Sequence, residues 1–328
     1  MLGDQSRIAL DAAGMTSAVA RTRGQREGQS RSARHPARLL VSLSPCLLVF
    51  LIATAAAEPR TDATTLGATS ERAARDEAIR AIPWKQLADP QRRKLQSVIR
   101  NSSMYRRLPT RVIDCDPDLF TFLLQHPEVV VDVWQMMGVS RVTLQRVSDQ
   151  AYQGDDGAGT TGNVCYLYAD WGPEARNLAV VYAEGAYDGK PFLSPLRATS
   201  VIVLQSGAVQ ETNGRSYVTV RVDSFVQIEQ VGVELVAKTV QPWINKTADR
   251  NFVETLGFVS TFSQTAEKNP QGMQRLAARL RTVDAPTRDA LVHLCYRAAQ
   301  RYAASDDRPS TKPYVLAQRM ELPATTRQ

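Results

Sequence analysis

NGRSYVTVRVDSFVQIEQ, residues 213–230, is the segment on which the fold turns. Successive side chains of a strand point to opposite faces of a sheet. Val218, Val220, Val222, Val226 and Ile228 therefore share one face, and Tyr217, Thr219, Arg221, Asp223 and Phe225 share the other. Such a strand has one dry face and one mixed face. The Asn213-Gly214 pair in front of it predicts a two-residue type I′ hairpin, because both central positions of that turn need φ > 0.

Upstream of this strand the period stays at two. Residues 163–169, 178–187 and 199–205 are rich in β-branched or aromatic side chains and are separated by Gly, Asp, Asn and Pro clusters, while Val142, Leu144 and Arg146 alternate with polar neighbours. Together they predict a consecutive antiparallel meander of five or more strands over 140–230. Downstream the period changes. Ile244, Ala248, Phe252, Leu256, Val259 and Ser263 recur at three and four within a helical region, 232–268, broken only at Gln241-Pro242. A helix with so apolar a stripe must lie on the sheet. Asn269-Pro270 ends it, and 271–281 and 286–303 add two amphipathic helices.

Ahead of the sheet, 71–137 reads as helical. Helices are expected over 71–82 and 85–100, with Asp89-Pro90 marking a break or a new start; Asp116 with Pro117 at the first helical position opens another, and His126-Pro127 opens a fourth. The expected fold class is α+β, with a meander sheet packed on a long C-terminal helix and flanking helices on both sides, in one domain over 71–303.

The N-terminal run LLVSLSPCLLVFLIATAAA, 39–57, follows a leader carrying Arg7, Arg21, Arg23, Arg26, Arg31, Arg34 and Arg38 against Asp4, Asp11 and Glu27. A charged start, an apolar centre and a small-residue exit make a secretory signal, and Ala55 and Ala57 set the cut after Ala57. The chain is then exported, to a periplasm or beyond the cell. Left uncleaved, the run approaches the roughly 20 residues that cross a bilayer and would anchor the chain, although Pro45, Ser42 and Ser44 weaken it as a span. Cys46 lies between Pro45 and Leu47, the wrong place for lipidation. Residues 58–70 read as a disordered polar tether and 304–328 as a disordered tail.

Removing the leader's seven arginines and three acids lowers the formal charge from +7 to +3. The basic character thus belongs to the leader, and no basic stripe with interleaved aromatics remains to track nucleic-acid phosphates. Arg92-Arg93-Lys94 and Arg106-Arg107 read as solvated helix faces. About 270 residues remain, enough for one large domain. Cys115, Cys165 and Cys295 form no CxxC pair and read as buried free thiols, with one disulfide as the alternative in an oxidising compartment. Only His126 and His293 follow the signal, so short His/Cys zinc spacing is absent, and neither metal nor cofactor is expected.

Two motifs dissolve in context. Gly157-Ala158-Gly159-Thr160-Thr161-Gly162 spells GxGxxG, but it precedes a strand instead of following one, and reads as a hairpin loop. Asp114-Cys115-Asp116-Pro117-Asp118 opens like a calcium loop, yet Leu119 and Gln125 stand where glycine and glutamate are required. Asp116 and Asp118 are better explained as a cap and a first-turn acid facing the helix dipole. No GxSxG or HExxH occurs, and no residue is assigned a catalytic role.

Arg221 and Asp223 share the mixed face of 217–230, and Glu184 interrupts the apolar strand 178–187. If that face looks into a space between sheet and helix, these charges must pair or bind something; if it faces water, they are ordinary. Tyr166, Tyr168, Tyr182 and Tyr187 add phenols nearby. The expected lining of a ligand cavity is Glu184, Tyr182, Arg221, Asp223, Phe225 and Tyr166, with Trp134, Trp171 and Trp243 as core contacts.

The order of elements over 116–268 resembles the helix-grip arrangement of the START-like lipid-binding superfamily, in which a curved sheet wraps a long helix around an apolar cavity. The likeness is one of topology. Extra helices on both flanks and Pro242 at the start of the gripping helix depart from it. The segment 218–252 also resembles an uncharacterised secreted bacterial family. The resemblance implies a cavity, and the leading expectation is an exported, non-enzymatic binding protein for an apolar or amphipathic, lipid-like ligand. One alternative is a cell-envelope scaffold whose partner surface is formed by the helices of 71–100 and 271–303. The other is a cyclase- or hydrolase-like enzyme working through Asp223 or Glu184. No nucleic-acid partner is expected, membrane contact arises only through an uncleaved signal, and the sequence sets no oligomeric state.

Overall fold

In the computed structural model, described over residues 67–189, 195–229 and 241–305, an eight-stranded antiparallel sheet carries helices on both faces. The chain begins with α1 (Arg72–Ala81) and α2 (Asp89–Arg100), linked through a single 3₁₀ turn at Trp84–Gln86. Strands β1 (Met104–Arg107) and β2 (Arg111–Asp114) follow, then α3 (Pro117–Gln125) and α4 (Pro127–Met136). The meander comprises β3 (Thr143–Ser148), β4 (Ala151–Asp155), β5 (Thr160–Trp171), β6 (Asn177–Tyr187), β7 (Leu196–Gln210) and β8 (Ser216–Ile228). Three helices close the described chain: α5 (Gln241–Lys268), α6 (Pro270–Ala277) and α7 (Ala285–Ala303).

The meander strands pair in sequence order, and β1 and β2 both add to the far side of β8, with Met104 opposite Val226 and Arg111 opposite Val220. The dry face of β8, including Val218, Val220 and Val222, shares a core with α3 to α7; this is the inner face. Its other face also goes dry. Phe225 packs with Tyr105, Val180, Val201 and Val203 beneath Ala78 of α1 and Leu95, Val98 and Ile99 of α2. Because both faces are covered, β6 to β8 are Val-rich and buried on each side.

The caps follow the sequence. Asp116 accepts from the backbone N–H groups of Asp118 (3.1 Å) and Leu119 (3.0 Å) at the start of α3. The hydroxyl of Ser263 accepts from the Asp116 N–H (2.8 Å), Ser260 Oγ donates to the Asp114 carbonyl (2.9 Å), and Arg106 pairs with Asp249. These bonds fasten α5 along the edge formed by β1, β2 and β8. At the opposite edge, Gln135 Nε2 of α4 donates to the carbonyl of Val142 (2.6 Å), just before β3.

Several expectations need correction. The turn before β8 is not type I′: Gly214 alone has positive φ there (+82°), its N–H bonds to Glu211 O (2.9 Å), and Glu211 N–H bonds to Arg215 O (2.8 Å). That is a type I turn closed by a glycine bulge. Residues 71–137 are not wholly helical, since β1 and β2 lie among them. Four-residue strands spelled Met-Tyr-Arg-Arg and Arg-Val-Ile-Asp are too short and too charged to display alternation. Arg106 and Arg107 consequently sit on β1 and pair inward instead of forming a solvated helix face. A bulge between Tyr166 and Tyr168 puts these two phenols on opposite sides of the sheet. The glycine motif at 157–162 does span the β4–β5 hairpin, and Gly162 and Gly185 face each other so closely that an added Cβ would lie 2.7 and 2.6 Å from a carbonyl oxygen of the partner strand.

The expected signal (1–57), most of the tether (58–66), the helical reading of 232–240 and nearly all of the tail (306–328) lie outside the described residues. Among the described residues, no helix is long and apolar enough to cross a membrane.

Candidate functional site

With α5 held over one edge of the sheet and α4 over the other, the middle of the inner face is bridged from a distance. The gap is a cavity of ≈190 Å³. Val164, Tyr166, Val181, Ile202 and Val222 form its floor on β5 to β8. Phe120 and Leu124 of α3, Val130 of α4, and Phe252, Leu256 and Val259 of α5 form the walls and roof.

Three polar side chains of the lining are already engaged. Tyr166 Oη donates to the Leu124 carbonyl (2.8 Å), Tyr152 Oη to the Gln125 carbonyl (3.1 Å), and Thr255 Oγ1 to the Asn251 carbonyl (2.8 Å). The two phenols thereby satisfy carbonyls at the C-terminal end of α3, which a helix leaves without partners. Burial pushes both phenol pKa values far above their ordinary range, reinforced by the nearby Glu128 charge, so both stay neutral. The surface left for an occupant is hydrocarbon and aromatic.

Beside the cavity, Arg146 ties α4 to β3. Its Nε donates to Glu128 Oε1 (3.0 Å) and its Nη2 to the Gln125 carbonyl (2.7 Å), and the guanidinium carbon lies 5.0 Å from the Tyr152 ring centroid. Burial would raise the Glu128 pKa, but hydrogen bonds from His126 and Arg146 outweigh it and hold the carboxyl below its usual value. His126 is therefore part of a structural clamp. Cys115, Cys165 and Cys295 are all free thiols; burial raises the Cys115 pKa strongly and brings that of Cys295 to about 12, which leaves neither as a ready nucleophile.

Of the lining expected from the sequence, Tyr166 stands on the cavity floor. Tyr182, Arg221, Asp223 and Phe225 lie on the opposite, outer face beneath α1 and α2, and Glu184 is exposed on that same face. The reason is the destination of the helices: α5 took the dry face of β8, and the N-terminal pair took the mixed one. Asp223 is fully buried there, accepting from Tyr105 Oη (2.6 Å) and Arg107 Nε (2.8 Å), with Arg221 Nε 4.0 Å away. Glu77 of α1 completes the group by accepting from Arg107 Nη1 (2.7 Å) and Arg221 Nη1 (2.8 Å). Burial favours a neutral Glu77, yet the two arginines outweigh it and lower its pKa. Two acids and two bases thus lock α1 to the sheet. On the same face Tyr182 Oη donates to Glu184 (3.1 Å) and Lys94 Nζ sits 4.2 Å from the Tyr182 ring centroid; burial first, then Glu184, pushes that phenol up to about 12.

The sequence reading omitted Leu124, Pro127 and Val130, which close the cavity from α3 and α4. Their signal was present, because PDLFTFLLQ and PEVVVDVWQM are too apolar to be covering helices with one wet side.

No family model matches the sequence, and no curated protein matches it. Among solved structures, that of a hypothetical protein from Helicobacter pylori is similar over 47% of this chain and 84% of its own, at 10% sequence identity and a TM-score of 0.30. A likeness of that degree decides neither fold nor function.

Proposed function

We propose that this protein is an exported, non-enzymatic carrier that takes an apolar or amphipathic, lipid-like molecule into the cavity between its sheet and helices α3 to α5. The observation that supports it is the lining: hydrocarbon and aromatic carbon, with both phenols spent on α3 carbonyls. Apolar cavities of about 150 Å³ stay dry and admit benzene. At ≈190 Å³ the space suits one ring or a short acyl stretch, so a lipid would place only part of itself there. The helix-grip resemblance fits this reading on the inner face, while α1 and α2 on the outer face depart from it. Export rests on the signal-like segment 39–57.

The alternatives have less support. A scaffold needs a contiguous exposed apolar patch on its flanking helices, and among the described residues the exposed large hydrophobic ones are Met137, Val139, Val147 and Tyr296, of which only Tyr296 belongs to them. An enzyme using Asp223 or Glu184 needs them in a cleft, whereas Asp223 is sealed in an ion cluster and neither lines the cavity.

The test is a fluorescence titration with N-phenyl-1-naphthylamine, an uncharged apolar probe. Saturable one-to-one binding is expected. Ala179→Phe, which projects a ring from the floor, abolishes it, and Asp223→Asn on the outer face leaves it intact. Binding that never saturates, or that survives Ala179→Phe unchanged in a folded protein, removes the cavity as the site.

A further inference from the structure

Two residues of a regular strand separated by an odd number of positions point to opposite faces of a sheet, yet Tyr166 and Trp171 both reach the cavity from β5. The bulge between Tyr166 and Tyr168 is the cause. Tyr166 stands opposite Val181 and Trp171 opposite Asn177, so the extra residue on β5 returns Trp171 to the inner face. A bulge re-aims a side chain, and this one completes a row of rings. Tyr152 of β4, opposite Val164, lies 6.1 Å from Tyr166 between ring centroids at an interplanar angle of 70°, and Tyr166 lies 6.0 Å from Trp171 at 66°. Both contacts are edge-to-face, the arrangement that the ring quadrupoles favour.

Two of these rings are held in place before any guest arrives. The hydroxyls of Tyr152 and Tyr166 are tied to the carbonyls of Gln125 (3.1 Å) and Leu124 (2.8 Å), so their rings lose little further freedom on binding. From the helix side, Phe120 of α3 and Phe252 of α5 bring two more rings to the same space. Its volume of ≈190 Å³ is little more than the roughly 150 Å³ that admits benzene. A planar guest would therefore meet rings on both sides. Among the described residues, none that lines the cavity is charged, so an ionic group there would find no counter-charge.

We propose that the group this cavity selects is an uncharged aromatic ring with a short apolar substituent, in preference to an acyl chain or a saturated ring. The inference rests on the cavity reading above and narrows it. The guest ring takes its place beside the row Tyr152, Tyr166 and Trp171 and extends the edge-to-face series, while Val181 and Ile202 supply the aliphatic floor.

The test is displacement of bound N-phenyl-1-naphthylamine by ethylbenzene, ethylcyclohexane and phenyltrimethylammonium. The first two share one carbon skeleton and differ in the π-system of the ring. Water solvates them differently, so each affinity is divided by that compound's measured partition coefficient from water into hexadecane. On this scale ethylbenzene is expected to lead by about three- to tenfold, the worth of a ring contact beyond the area it buries. Phenyltrimethylammonium should displace no probe. Trp171→Leu, which shortens the row of rings, should cut the ethylbenzene lead by about half or more. Equal corrected affinities overturn the proposal and leave the cavity reading standing, since the saturated compound then fills the same space. Displacement by phenyltrimethylammonium as strong as by ethylbenzene also overturns it and marks a site for cations, as does an unchanged lead in a folded Trp171→Leu. If neither neutral compound displaces the probe, the cavity reading falls as well. Should Trp171→Leu fail to fold, the ratio in the natural protein decides by itself.

Discussion

Ala179→Val should stabilise this protein. Ala179 lies on β6, opposite Ala169 and Leu204, is 1% exposed, and contributes to the cavity lining, so a larger side chain there grows into empty space. The change adds two carbons, each worth about 0.8 kcal/mol when buried, for an upper bound of about 1.6 kcal/mol. A β-branched residue also suits a strand. Small adjustments of neighbouring side chains reduce the gain to about 1 kcal/mol, equivalent to a rise in Tm of about 2–4 °C for a domain of this size. Urea denaturation followed by circular dichroism, with an unchanged m-value, reads it directly. The control is Ala78→Val on the outer face, where Ala78 is fully buried in packed surroundings and the larger side chain should cost about 1–3 kcal/mol. If Ala179→Val costs as much as the control, the floor is already filled and the volume assigned to the cavity is wrong.

Three further outcomes follow from other parts of the fold. Asp223→Ala strands Arg107 and Arg221 beneath α1 and should cost about 3–5 kcal/mol in urea denaturation, while leaving probe binding on the inner face unchanged; a cost below 1 kcal/mol means the cluster does not hold α1. Glu267 has its pKa raised by burial, against the pull of Arg215, so it favours the folded state when protonated, below the unfolded value near ~4.3, and loses that contribution as pH rises through the folded value. Glu267→Gln should accordingly gain stability relative to the natural protein as pH rises above that unfolded value in thermal melts, and a difference that is flat with pH contradicts the assignment. Gly185→Ala would place a Cβ 2.6 Å from the Thr161 carbonyl oxygen, and a loss of about 1–3 kcal/mol is expected; a neutral result would show that β5 and β6 can separate there without cost.

What the sequence disclosed, and what it withheld, divides along physical lines. Features set by local chemistry were legible: the period of two in β8, the Asp116 cap on α3, the hairpin at 157–162 and the apolar stripe of α5 all have their cause within a few residues. The destination of the mixed face of β8 was not, because the counter-charge that buries Arg221 is Glu77, 144 residues away. Water and a ligand cavity were the two environments weighed for Asp223, and a docked helix supplied a third. Alternation also cannot anticipate a bulge, so Tyr166 and Tyr168 were placed together when the sheet separates them.

The most direct test of the account is a methyl-resolved NMR titration with octane. Val164, Val181, Ile202, Val222 and Leu256, which surround the cavity, should shift in a saturable, one-site manner, while Val180, Val201 and Val203 on the outer face stay in place. Shifts confined to the outer face, or no saturable shifts at all, would contradict the claim that this sheet and its helices enclose a binding site.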